Sequence, residues 1–136
     1  MNLGQTLLAL LALALLVTIS LSINKARFAS TERTIELQVE LEAINYGQSV
    51  MEIISNRANT EEGYNSLEDK FNNWTGNQKV SDGSGQTLYS KVIVESEADN
   101  TPLHEVPYKF VRVTVYADPA YEKQLVEYKS AFNRWW

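Results

Sequence analysis

Few side chains in this chain are spaced for chemistry. His104 is the only histidine. It has no second imidazole with which to hold a metal and no serine or cysteine motif around it, so it reads as a loop residue. Cysteine is absent, which removes disulfides, thiolate nucleophiles and cysteine-based zinc sites together. Asp82-Gly83-Ser84 faintly resembles a calcium loop but lacks the alternating acidic ligands and the closing glutamate, and reads as a turn. Asn73-Trp74-Thr75 fits the N-x-T acceptor pattern for N-linked glycans, which is frequent by chance. There is no phosphate loop and no HExxH pair, and no pair of acids is singled out by context. The sequence therefore predicts a protein that is not an enzyme, with no cofactor and no metal.

The elements that frame these residues are more telling. The chain has 136 residues and a formal net charge of -5, enough for one small domain. Every charged side chain lies at or after Lys25. No cluster of Lys and Arg is present to neutralise phosphates, which argues against a nucleic-acid partner.

Leu7 to Ile23 reads LLALLALALLVTISLSI, without charge, proline or glycine. A bilayer core of about 30 Å needs roughly 20 apolar residues in a helix, with a lower limit near 17. The run sits near that limit, and Met1 and Leu3 extend it. Three readings compete: a cleaved secretory signal, a plain single-pass anchor, and a helix that rests in a membrane before packing against copies of itself. The first expects a basic leader and a small-x-small cleavage site, and MNLGQT has no basic side chain. Lys25 and Arg27 flank the far end of the run; taken alone, they would place the main domain in the cytoplasm.

The apolar pattern passes straight into an amphipathic helical pattern that continues to about Arg57. One stripe runs Leu37, Leu41, Ile44, Met51 and Ile54; a second runs Ile35, Val39, Ala43, Tyr46, Val50 and Ile53. Leu37, Leu41, Ile44, Val50 and Ile54 are expected to pack against the rest of the domain. The polar face carries Glu32, Glu36, Glu40, Glu42 and Glu52 against a single Arg33. It is either a solvated acidic face or one that meets Lys25, Arg27 or Arg33 of a neighbouring copy. Gly47 inside the pattern either permits close packing or allows a bend. Between the two halves, Thr18, Ile19, Ser20 and Ser22 are weaker helix formers than the Leu/Ala stretch before them, and mark where the helix would unwind. A helix from Leu3 to Arg57 would be about 80 Å long, more than so small a domain covers. Its apolar part then needs lipid or partner subunits.

Beyond Arg57 the chain turns polar. Ser66 caps a possible short helix whose Leu67, Phe71 and Trp74 fold back as a lid on the long helix. Ser81-Asp82-Gly83-Ser84-Gly85 and Asp99-Asn100-Thr101-Pro102 signal turns. Thr87 to Glu95 and Tyr108 to Tyr116 read as strands. Gln124 to Asn133 reads as a third strand, with a short helix as competitor. Trp135 and Trp136 would pin that last strand to the domain or meet another subunit. The predicted fold is α+β: a long N-terminal helix packed on an antiparallel sheet of about three strands. Residues 1–24 form the apolar membrane or filament-core helix, 25–57 its amphipathic continuation, and 58–136 the head.

This organisation resembles that of type IV pilins and pseudopilins. The local match is Gly4-Gln5-Thr6-Leu7-Leu8-Ala9-Leu10, which is similar to the pilin processing motif: a glycine before the cut, then Thr-Leu-aliphatic-Glu-Leu one residue later. In that register Ala9 replaces the family's glutamate, which is thought to neutralise a neighbouring subunit's N-terminal amine. If Met1 is the first mature residue, Gln5 takes that place; it can accept a hydrogen bond but carries no charge. Gly4 and Gln5 are thus the candidate processing or amine-contact residues. The family's proline near the membrane exit is absent, and its C-terminal disulfide is impossible here, as in cysteine-free secretion pseudopilins.

The resemblance implies a homo-oligomer. Subunits wait in the inner membrane, the pilus assembly machinery extracts them, and their helices bundle into the core of a helical filament on the cell surface. The core would be built from Leu7, Leu8, Leu10, Leu11, Leu13, Leu15, Leu16 and Val17, side chains equally suited to lipid and to neighbouring helices. The alternatives are a pseudopilin of a type II-like secretion system and a single-pass membrane-anchored adaptor domain.

Overall fold

The computed structural model describes residues 2–81, 85–96 and 108–133. The fold is α+β. Helix α1 spans Leu3–Ala58 without interruption, followed by α2 (Glu61–Asn65), α3 (Leu67–Phe71) and strands β1 (Thr75–Lys79), β2 (Thr87–Ser96), β3 (Tyr108–Tyr116) and β4 (Gln124–Asn133). The strands form one antiparallel sheet in the order β1-β2-β3-β4. The chain divides into two compact units, Met1–Leu37 and Gln38–Trp136.

In the second unit, residues of α1 share one core with the sheet. Val39, Ala43, Tyr46, Val50, Ile54 and Ala58 recur every three or four residues and are buried, the spacing of a single helical face. They join Leu88, Val92 and Val94 of β2 and Val111, Val113 and Val115 of β3. In β2 the alternation is strict: Leu88, Ser90, Val92 and Val94 are buried while the residues between them are half-exposed. Period two against period 3.6 is what sets a sheet face on a helix face.

Two expectations need correction. Leu37 and Leu41 are not part of the buried core; they are 56% and 58% exposed. Each lies two residues from a buried position, Val39 and Ala43. That is about 200° around the helix axis, which turns it to the opposite side. Ile44 is half-buried at the margin of the buried face, and Val50 and Ile54 lie within it. The sheet also has four strands rather than about three. The added strand, Thr75-Gly76-Asn77-Gln78-Lys79, is almost wholly exposed and carries no apolar alternation. Backbone pairing from Thr75↔Lys91 to Lys79↔Thr87 makes it an edge strand.

Gly47 serves close packing. A β-carbon there would stand 2.6 Å and 2.8 Å from ring carbons of Tyr128 on β4, whose hydroxyl donates to the Ile44 carbonyl at 3.3 Å. Ser66 precedes α3 but its side chain does not cap it; its hydroxyl donates backward to the Gly63 carbonyl at 3.2 Å. Leu67 and Phe71 are buried in the common core, while Trp74 is exposed. Lys109 reaches α2, donating to the Tyr64 carbonyl at 2.8 Å with its ammonium 4.7 Å from the Tyr64 ring centroid.

Ser90 is the fully buried polar side chain of β2. Its hydroxyl lies 2.9 Å from the Tyr46 hydroxyl on α1. Ser90→Ala leaves the phenol without that partner and is expected to cost about 1–3 kcal/mol, whereas Ser90→Ala with Tyr46→Phe removes both groups and recovers much of the loss. Urea titration of the single and double variants measures this.

The β3–β4 turn is organised by Asp118. Its Oδ1 accepts from the backbone N–H of Lys123 at 2.7 Å and of Glu122 at 3.2 Å. These bonds, that from Lys123 foremost, hold the carboxyl below its ordinary 3.8. A depressed folded value means the contribution is present above the unfolded value and is lost as pH falls through the folded one. Amide exchange at Glu122 and Lys123 should therefore accelerate, beyond its intrinsic pH dependence, as pH falls below about 4. In Asp118→Asn that extra step is absent.

Candidate functional site

From Leu3 to Leu37 the first unit is helical, and its side chains from Asn2 to Leu37 are exposed. Leu7, Leu8, Leu10, Leu11, Leu13, Leu15, Leu16 and Val17 present apolar surface all round the helix; Leu11 is 54% exposed. The helix is long and apolar enough to cross a membrane, with no charged residue before Lys25. A helix satisfies its own backbone groups, so such a surface can enter lipid or a bundle of like helices without stranding an N–H or C=O. In water it would be an exposed apolar patch of the kind that marks an interaction site.

Thr18, Ile19, Ser20 and Ser22 are helical. Thr18 Oγ1 donates to the Ala14 carbonyl at 2.8 Å. Thr31 and Thr34 do the same to Arg27 and Ser30, each at 2.9 Å. This back-bonding lets hydroxyls sit in an apolar helix, and it is also what weakens the ladder locally. Gly4 has open space around it, and the Gln5 N–H donates to the Asn2 carbonyl at 3.0 Å in the first turn. Among the described residues, Lys25, Arg27, Arg33, Glu32 and Glu36 make no ion pair. Glu42, in the second unit, accepts a hydrogen bond from the Ser81 hydroxyl.

Sequence reasoning passed over two features. Phe28 is 74% exposed and stands just past the basic pair; a lone aromatic outside both stripes carried no periodic signal. The sheet face away from α1 holds exposed Phe110 edge-on to Tyr108, with ring centroids 4.7 Å apart. Beside them Arg112 stands between Glu95 and Glu127, its Nε 3.1 Å from Glu127 Oε1 but not aimed at it in an aligned hydrogen bond. The alternation of Phe110 and Arg112 with Val111 and Val113 was the available signal. Among the described residues no group of three or more His, Asp or Glu is placed to hold a metal ion. Asp82-Gly83-Ser84, Asp99-Asn100-Thr101-Pro102, His104, Trp135 and Trp136 lie outside the described residues.

Comparison of the chain with protein-family models, with curated proteins and with solved structures gives no match.

Proposed function

We propose that this chain is a structural subunit that rests in a membrane through its N-terminal apolar helix and polymerises through the same helix into a type IV pilus-like filament. The observation that carries this reading is one uninterrupted helix, Leu3–Ala58, whose charge-free first part is wholly exposed while its last part is built into the core of an antiparallel sheet domain. Exposure of that much apolar surface calls for lipid or for other copies. Leu- and Ala-rich helices pack with each other and with acyl chains at similar free energy, so transfer from bilayer to fibre uncovers no new polar group. In this reading the protein performs no catalysis and takes no cofactor.

A single-pass anchored adaptor is the second reading, favoured by the fact that one copy of the helix already suffices to span a bilayer. Imaging of material sheared from the cell surface, with sequencing of its N-terminus, separates them. Fibres whose density fits this chain support the filament subunit. Recovery only in the membrane fraction, with no fibres, supports the anchor or a secretion pseudopilin.

A further inference from the structure

Two adjacent asparagines follow α3, and the fold uses them differently. Asn72 Oδ1 accepts from the Val94 N–H at 3.2 Å, and the Trp74 carbonyl accepts from the Val92 N–H at 2.9 Å. Together they satisfy two amides of the β2 edge beyond the reach of β1, which pairs only with Thr87 to Lys91. Asn73 lies between them with φ +60, a conformation asparagine tolerates better than most residues. Its side chain is exposed, as is that of Thr75, and among the described residues neither makes a hydrogen bond. The Trp74 indole lies across Gly76, within 2.5 Å of where a β-carbon would stand. Asn73-Trp74-Thr75 is the only N-x-Ser/Thr triplet without proline in the sequence.

We infer that Asn73 is an N-glycosylation site, taking an oligosaccharide from a lipid-linked donor. A host transferase would join Asn73 Nδ2 to C1 of the sugar. The C1–O bond to the lipid phosphate breaks, the lipid phosphate leaves with the electron pair, and the amide nitrogen gives up a proton. The Thr75 hydroxyl completes the acceptor pattern. The attached sugar would stand at the β1 margin of the sheet, where an exposed edge strand otherwise invites pairing with another chain. The inference rests on the head lying outside the cytoplasm, which the filament reading requires.

The experiment is mass spectrometry of the full-length protein purified from its own cells. Cleavage after Lys and Arg isolates Phe71 to Lys79. This peptide is expected to carry one added glycan mass, absent in Asn73→Gln and in Thr75→Ala, and kept in Thr75→Ser and Asn72→Gln. External protease is applied to intact cells in parallel. An unmodified peptide from protein whose head is cleaved outside the cell overturns the glycan and leaves the filament reading standing. An unmodified peptide from protein whose head is protected in the cytoplasm overturns both. A glycan on protein that forms no fibre sustains the site and counts against the filament.

Discussion

Leu11→Asp is expected to abolish filaments and to release most of the protein from membranes while the sheet domain stays folded. Leu11 sits mid-run in a segment with no charge, and its side chain is solvent-exposed in the isolated chain, so its removal costs the folded domain nothing. The buried core begins only at Val39. In a bilayer the balance is different: an aspartate near the centre of a spanning helix costs about 2.5–3.5 kcal/mol, and the lost leucine adds about 0.5. Three to four kcal/mol corresponds to a change in partition of roughly a hundredfold to a thousandfold. In a helix bundle the penalty is of the same kind, because a carboxylate among leucines has no partner. Alkaline extraction of membranes, electron microscopy of sheared fractions and near-ultraviolet circular dichroism check the three parts of this expectation. Leu11→Met, which keeps the apolar character, should behave as the parent does. Normal fibres from the aspartate variant would overturn assembly through the apolar helix. Lost membrane association combined with an unfolded domain would instead mean that the two units depend on each other.

What could be read in the sequence and what could not divides along physical lines. The long helix was legible because its signal is redundant: no charge before Lys25, then apolar residues at helical spacing as far as Ile54. Strands β2 and β3 were legible because one face is buried and the other wet, which writes period two into Leu88-Tyr89-Ser90-Lys91-Val92 and into Val111-Arg112-Val113. Strand β1 was not legible. Thr75-Gly76-Asn77-Gln78-Lys79 buries almost nothing, and a strand held by backbone pairing at an edge leaves no hydrophobic pattern. The face of α1 that meets the sheet was half legible. From Ile35 to Ile54 apolar residues occur on several sides, so periodicity alone offered two stripes. The choice between them depended on where the sheet lies, which is tertiary information. Val39 and Ala43, the less hydrophobic members, won over Leu37 and Leu41. A second use for Leu37 and Leu41, against a partner helix, is consistent with the proposed assembly.

Gly47 supplies the other large effect. Replacing it with leucine should lower the midpoint of thermal unfolding by roughly 10–20 °C. In an exposed helix the same change would stabilise, since glycine is the worse helix former by up to about 1 kcal/mol. Here the first side-chain atom already falls 2.6 Å from one Tyr128 ring carbon and 3.4 Å from a methyl of Val115. Leucine adds three further carbons in the same direction. Overpacking of this kind costs typically 1–3 kcal/mol and occasionally more, and the hydrogen bond from Tyr128 to the Ile44 carbonyl is lost with the ring's displacement. At roughly 4–8 °C per kcal/mol for a domain near a hundred residues, a cost of about 2.5 kcal/mol gives the stated range. Alanine is the informative intermediate: gained helix propensity and lost fit oppose each other, and its midpoint should fall between the parent and the leucine variant. Tyr128→Ala frees the space, so the Gly47→Leu, Tyr128→Ala pair should be more stable than the sum of its single changes, by a coupling within the usual 0.5–3 kcal/mol for residues in contact. Strict additivity would show that Gly47 is present for some reason other than the approach of β4 to the helix.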